Sequence, residues 1–168
     1  MILRELSNTD LEEILAIRNH DEIRKYMFNT QLISLEQHKE WFQRYLQDNS
    51  KITLLGVDEQ ANIIGVLNIN FLTSDRKIVD WGFYVKPNSP KGSGTKLLIL
   101  GLEKIFNEYQ SRKVFGQSIG FNDKSIQIHK KLGFKQEGIL REHYHRDGKF
   151  YDIYEFGLLN TEYQRLAL

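Results

Sequence analysis

A strand, a proline-bearing loop and a helix follow one another without a break between residues 79 and 109, and this order constrains the fold more than any other feature. Val79-Asp-Trp-Gly-Phe-Tyr-Val85 is aromatic and β-branched, as strands are. Lys86-Pro-Asn-Ser-Pro-Lys-Gly-Ser-Gly94 holds both prolines of the chain. From Thr95 to Tyr109 the apolar residues recur at helical spacing. Gly92-Ser93-Gly94 therefore stands where a helix begins. A helix start carries unpaired N–H groups and partial positive charge, and glycines let the backbone close on a ligand. The junction suits a phosphate or pyrophosphate.

The flanking pattern predicts one α/β domain over residues 1–168, with a mixed sheet. Residues 1–6 read as a strand. Ser7 to Asp10 supply helix-capping residues, and a short helix is expected near 21–27. Ser34-x-x-Gln37 is a capping box that opens a helix bearing His38, Trp41, Phe42, Tyr45 and Leu46. Strands are expected at 51–57, 62–71, 78–85, 113–119, 135–144 and 150–158. A further helix spans 123–132 and stops at Gly133. Strand 150–158 is expected at the surface, where it can pair with a second copy in a homodimer.

Charge and cysteine content narrow the function. A net charge of +1 without long runs of one sign argues against a dedicated nucleic-acid binder. No apolar run approaches a membrane span, and Met1-Ile-Leu-Arg-Glu-Leu lacks the apolar core of a signal peptide, so a cytoplasmic location is expected. With no cysteine, the chain has neither a thiol nucleophile nor cysteine-ligated zinc.

Three motifs bear on the chemistry. Gly116-Gln-Ser-Ile-Gly120 matches a hydrolase nucleophile elbow, but Asp123 and His129 follow Ser118 too soon to complete a triad, so Ser118 reads as an ordinary strand residue. His143-x-His145 places two imidazoles on one strand face without a third ligand, and no metal is expected. Asn122-Asp-Lys-Ser125-Ile-Gln-Ile-His129-Lys-Lys131-Leu-Gly133-Phe134 is by itself a capped helix. Capping alone does not explain why it follows the glycine loop at a distance of one strand.

Together these two segments resemble the GCN5-related N-acetyltransferases (GNAT). The family's loop, Gln/Arg-x-x-Gly-x-Gly/Ala, reads here Ser89-Pro-Lys-Gly92-Ser-Gly94, with Ser89 departing from the pattern. The second motif matches at Asn122, Ser125, Lys131, Gly133 and Phe134, with His129 where the family carries tyrosine. The resemblance implies a mixed central sheet splayed around acetyl-CoA. The amides of Lys91, Gly92, Ser93, Gly94 and Thr95 would hold the pyrophosphate. The pantetheine arm would lie along Phe83, Tyr84 and Val85, with Asn122, Ser125 and Lys131 contributing. Direct attack by an amine on the thioester follows from the absent cysteine. His129 is the candidate acid for the departing thiolate, the alternative being a plain helix-face histidine. Asp80 is the candidate base, with Glu142 and His143 as competitors.

Arg18-Asn19-His-Asp-Glu-Ile-Arg24-Lys-Tyr-Met27-Phe28 and Glu36-Gln-His38-Lys-Glu-Trp41 resemble the branch that acts in pseudaminic acid biosynthesis. That branch acetylates the 4-amino group of a UDP-linked 4-amino-4,6-dideoxy sugar, on the way to flagellin glycosylation. The acceptor candidates are Arg18, Asn19, Met27, Phe28, Trp41, Trp81 and His143. Met27, Phe28, Trp41 and Tyr84 can form a shelf for uracil, and Arg18, Arg24 and Lys25 can meet a diphosphate. The tail from Glu137 to Asp152 also fits ribosomal-protein N-terminal acetyltransferases, which are one alternative. A non-catalytic CoA-binding module is another.

Overall fold

Seven strands form one sheet in the order β1-β2-β3-β4-β5-β7-β6 in the computed structural model, which describes residues 1–163. The strands are β1 (Ile2–Glu5), β2 (Lys51–Val57), β3 (Ile63–Phe71), β4 (Ile78–Val85), β5 (Lys113–Ile119), β6 (Lys135–Arg146) and β7 (Lys149–Leu159). The helices are α1 (Leu11–Asn19), α2 (Asp21–Arg24), α3 (Leu35–Tyr45), α4 (Ser93–Glu103) and α5 (Asp123–Lys131). β1 to β4 make an antiparallel meander, and β5 joins β4 in parallel after the α4 crossover.

Local chemistry accounts for many element ends. Ser34 Oγ accepts the Gln37 N–H at 3.2 Å, and Gln37 Oε1 accepts the Ser34 N–H at 2.9 Å, closing the expected capping box. Asp147 and Gly148 both take positive φ, 51° and 72°, as a two-residue hairpin between β6 and β7 requires. α4 is shorter than its apolar pattern. It gives way at Lys104–Glu108 to a wider π turn, in which the Tyr109 N–H reaches the Lys104 carbonyl at 3.0 Å.

Alternation along the strands supplies two cores. Leu54, Leu67, Ile69, Val79 and Trp81 pack against Leu97, Leu98 and Leu102 of α4 and Ile126 of α5. Leu55, Val57 and Val66 pack on the other face against Ile14, Ile17 and Phe42 from α1 and α3. Burying side chains of this size contributes roughly 1.5–3 kcal/mol each. No helix among the described residues is long and apolar enough to cross a membrane.

Strand 150–158 is not a free edge. β7 is paired on both sides, to β5 from Lys113↔Leu159 to Ile119↔Ile153 and to β6 from Lys135↔Gly157 to Arg146↔Lys149. The sheet edges are β1 and β6. Sequence order hides this, because β7 inserts between β5 and the strand that precedes it in the chain.

β4 and β5 pair only at Ile78↔Lys113, Val79↔Val114 and Asp80↔Phe115. Beyond Asp80, β4 stays with β3 as far as Gly65↔Val85, while β5 stays with β7. The sheet therefore opens into a V between Trp81–Val85 and Gly116–Ile119.

Candidate active site

A cavity of about 520 Å³ lies at the mouth of this V. Phe83, Tyr84 and Val85 of β4 form one wall, and Asn122, Lys124, Ser125 and Ile128 form the other. The loop Lys86–Gly92 and the first residues of α4 form its floor, and Ile23, Tyr26 and Met27 reach it from the α2 segment. Gly92, at the N-cap of α4, has φ 93° and ψ −8°, a left-handed conformation that a side chain resists. Of the first-turn amides, Ser93 already donates to the Pro90 carbonyl at 3.1 Å. The amides of Gly94 and Thr95 have no intrahelical acceptor, as at any helix start, and are available to an anion.

Asn122 caps α5 by accepting the Ser125 N–H at 3.2 Å. The Ser125 carbonyl accepts a hydrogen bond from His129 Nδ1 at 2.7 Å. His129 Nε2 accepts the Trp81 indole N–H at 3.1 Å. An indole N–H only donates and a carbonyl only accepts, so His129 is neutral with its proton on Nδ1. The ring is 1% exposed and stacks on Phe156 at 4.8 Å and 8°. Burial pushes its pKa down to about 4, although the Ser125 carbonyl pulls the other way. As placed, His129 has its Nδ1 proton engaged and lines neither cavity. Trp81, expected at the acceptor, is likewise 4% exposed and packs inward on Phe134 at 5.0 Å.

A second cavity, about 740 Å³, opens on the sheet face covered by α1 and α3. Arg18, His38, Trp41, Arg44, Lys51, Asn68 and Asn70 line it. Met27, Phe83 and Tyr84 line both cavities, so the two meet at these three side chains. Two polar atoms here are buried without a hydrogen-bond partner, Arg18 Nη1 and His38 Nε2. His38 is 7% exposed and stacks on Trp41 at 5.1 Å and 12°. Burial and then the nearby Arg18 charge lower its pKa. Burial raises the Tyr84 pKa, against the pull of Arg18. Asp80 lines neither cavity itself; it lies on the strand face of Gly82 and Tyr84, beside the second cavity's Asn70, and accepts an Asn70 N–H at 3.3 Å. Its pKa is raised by burial and lowered less by that hydrogen bond.

The acetyltransferase (GNAT) domain family matches residues 3–154. The chain belongs to this family. The GNAT chain is 31% identical over 134 residues to the SPbeta prophage-derived uncharacterized N-acetyltransferase YokL of Bacillus subtilis, covering 78% of this chain and 74% of that one. It is 29% identical over 141 residues to the acetyltransferase PseH of Campylobacter jejuni, covering 84% and 87%. The crystal structure of spermidine N-acetyltransferase from Vibrio cholerae in complex with CoA and spermine shares its fold, with a TM-score of 0.89 over 96% of both chains at 23% identity. The sheet of the GNAT fold, splayed at its centre, is thus the one described above. The chain is an acetyl-CoA-dependent N-acetyltransferase acting on an amine. The V, the positive-φ glycine and the 520 Å³ cavity fit that donor.

Within this GNAT site the expected donor residues Phe83, Tyr84, Val85, Lys91, Gly92, Ser93, Gly94, Asn122 and Ser125 line one cavity. Thr95 stands beside them in the first turn of α4. Lys131 does not converge: it is exposed at the far end of α5, and Lys124 lines the cavity instead. Among the acceptor candidates, Arg18, Met27 and Trp41 converge. Asn19 bonds both backbone groups of Ile33, at 2.8 and 3.0 Å, and so shapes the loop rather than lining the cavity. Phe28 is 50% exposed and packs edge-on against Tyr144 at 5.6 Å, outside the cavity. His143 is exposed beside a β6 bulge and lines neither cavity. Arg24 pairs with Asp21 at 2.5 Å and Lys25 sits over Tyr26, so Arg18 alone of the expected cationic trio faces the second cavity. Ser118 is a buried β5 residue opposite Tyr154. Among the described residues, no group of three His, Asp or Glu side chains is placed to hold a metal.

Arg44, Lys51, Asn68 and Asn70 are cavity residues that sequence reasoning missed. Asn68-x-Asn70 is a usable signal, since two polar residues at a spacing of two in an apolar strand share one face.

Proposed function

We propose that the acceptor is the amino group of a sugar carried on a nucleoside diphosphate, and specifically the 4-amino group of a UDP-linked 4-amino-4,6-dideoxy sugar in pseudaminic acid biosynthesis. The observation that carries this reading is the charge of the acceptor cavity. Arg18 and Arg44 line it against a single lining carboxylate, Glu40, and Lys51 lines it while paired to Asp48 at 2.8 Å. A polyamine carries several positive charges and needs carboxylates around it, whereas a diphosphate needs donors and positive charge. The unpartnered Arg18 Nη1 supplies such a donor. Trp41, half-buried in the cavity wall and stacked between His38 at 5.1 Å and Tyr45 at 5.5 Å, offers an aromatic edge to a base. The resemblance to PseH of Campylobacter jejuni supports the same acceptor.

The chemistry is amine addition to the thioester carbonyl followed by loss of CoA as thiolate. The junction of the two cavities at Met27, Phe83 and Tyr84 brings the reactants together, and proximity supplies much of the rate. The ammonium yields one proton, directly or through water, to Asp80; the resulting neutral amine adds to the carbonyl carbon, the C–S bond breaks, and the second nitrogen proton passes to solvent. The thiolate leaves without a proton from His129.

Purified protein, acetyl-CoA and the UDP-4-amino sugar should release CoA, followed with a thiol reagent. Spermidine and a ribosomal-protein amino-terminal peptide are the comparison acceptors. Turnover of either one in preference to the sugar would overturn the reading.

A further inference from the structure

Trp81 and Gly116 are the first residues past the last β4–β5 pair, one on each arm of the V. The Trp81 indole N–H reaches across the opening to His129 Nε2 at 3.1 Å. The His129 ring lies flat on Phe156, which pairs with Gly116. His129 thus touches β4 through its nitrogen and β7 through its face, while its Nδ1 holds the Ser125 carbonyl one turn back on α5. A Cβ at residue 116 would lie 2.7 Å from both His129 Nε2 and Trp81 Nε1. Only glycine leaves room for this contact.

We propose that Trp81 and His129 form a strut that sets the width of the donor cavity, His129 acting on acetyl-CoA as a positioning residue through α5. The two walls of that cavity are Phe83–Val85, two to four residues beyond Trp81, and Asn122–Ile128, on the turns before His129. One hydrogen bond between Trp81 and His129 ties the walls together at the apex of the V. The bond is buried, so its loss leaves a donor or an acceptor stranded and the walls repack to relieve it. The proposal depends only on acetyl-CoA as donor, so its test needs no acceptor.

The test is calorimetric titration of CoA alone into folded wild type and variants. His129→Phe keeps a ring stacked on Phe156 and Trp81→Phe keeps a smaller ring beside Phe134; both remove the bond, and each should weaken CoA binding about tenfold. In His129→Gln, the side-chain Oε1 can accept the indole N–H, and affinity should return to within about threefold of wild type. Gly116→Ala should match Trp81→Phe. A proton donor predicts another pattern, in which all His129 variants bind CoA normally and lose kcat alike. Wild-type affinity in Trp81→Phe, or equal affinity in His129→Phe and His129→Gln, overturns the strut. If His129→Phe does not fold, Trp81→Phe and His129→Gln still decide between the two.

Discussion

Asn70 donates a side-chain N–H to Asp80 across the β3–β4 ladder, at the last residue pair before β4 and β5 part. Burial raises the carboxyl pKa and the Asn70 bond only partly opposes it. A base works in its ionised form, so kcat/KM should fall as pH drops through this raised value. Asp80→Asn should lower kcat by about 10²-fold, keep the acetyl-CoA KM and abolish the acidic limb of the pH profile. An unchanged acidic limb would assign the base elsewhere. Because the folded pKa is raised, the associated stability is complete below the unfolded value and lost as pH rises through the folded one. Asp80→Asn should therefore melt no lower than wild type at neutral pH.

The Arg4–Asp10 pair sets acid stability. Arg4 holds both Asp10 oxygens at 2.7 and 2.8 Å, and the Ser7 N–H adds a bond at 2.8 Å. These bonds, Arg4 first, bring Asp10 from 3.8 down to about 2. A lowered carboxyl pKa stabilises above the unfolded value and loses that effect as pH falls toward the folded one. Arg4 is 37% exposed, which screens the pair, so Asp10→Asn should cost about 1–2 kcal/mol at pH 7. Denaturant melts of the two proteins should converge between pH 4 and about 2.

Gly92→Val tests the anion loop through its backbone. A Cβ there meets nothing within 4 Å, so the penalty is conformational, on the order of 1–3 kcal/mol at φ 93°. The acetyl-CoA KM should rise tenfold or more while the acceptor KM stays put. Equal changes in both would point to general unfolding, which a melting curve would reveal.

Arg18→Met keeps the aliphatic stem and removes the charge. The acceptor KM should rise about 10- to 100-fold with the acetyl-CoA KM unchanged. The loss should shrink as salt is raised, because screening weakens the wild-type contact. A salt-independent effect would mean that the Arg18 bond to the Asn29 carbonyl, 2.6 Å long, is what matters.

What is legible in the sequence is local. The Ser34–Gln37 capping box, the Asp147-Gly148 turn and the Gly92 loop each depend on residues within a few positions of one another. The role of His129 is not legible, because its environment comes from Trp81, 48 residues away, and from Phe156 on β7. Helical spacing places a histidine on a face but not the strand beneath it. Trp81 departs from the expected acceptor position for the same reason: alternation puts it opposite Asp80 and Gly82, on the α4–α5 face, and no local signal says which face is the cavity. Arg18 and His38 meet only once α1 and α3 are docked on the sheet.

Three residue pairs are all that join β4 to β5, which makes this seam the weakest stretch of the backbone ladder across the sheet. On the near side, β1 to β4 close by hairpins and an antiparallel return; on the far side, β5, β7 and β6 close among themselves. Amide exchange should therefore divide the sheet in two, with the backbone amides of Trp81–Val85 that lack a β3 partner exchanging before their neighbours. A ligand laid into the V as an added strand would supply ladder bonds between halves that are otherwise joined through the side chains of one shared core, Val79 and Trp81 with Val114 and Phe156, and its binding should be read as backbone cooperativity gained across that seam.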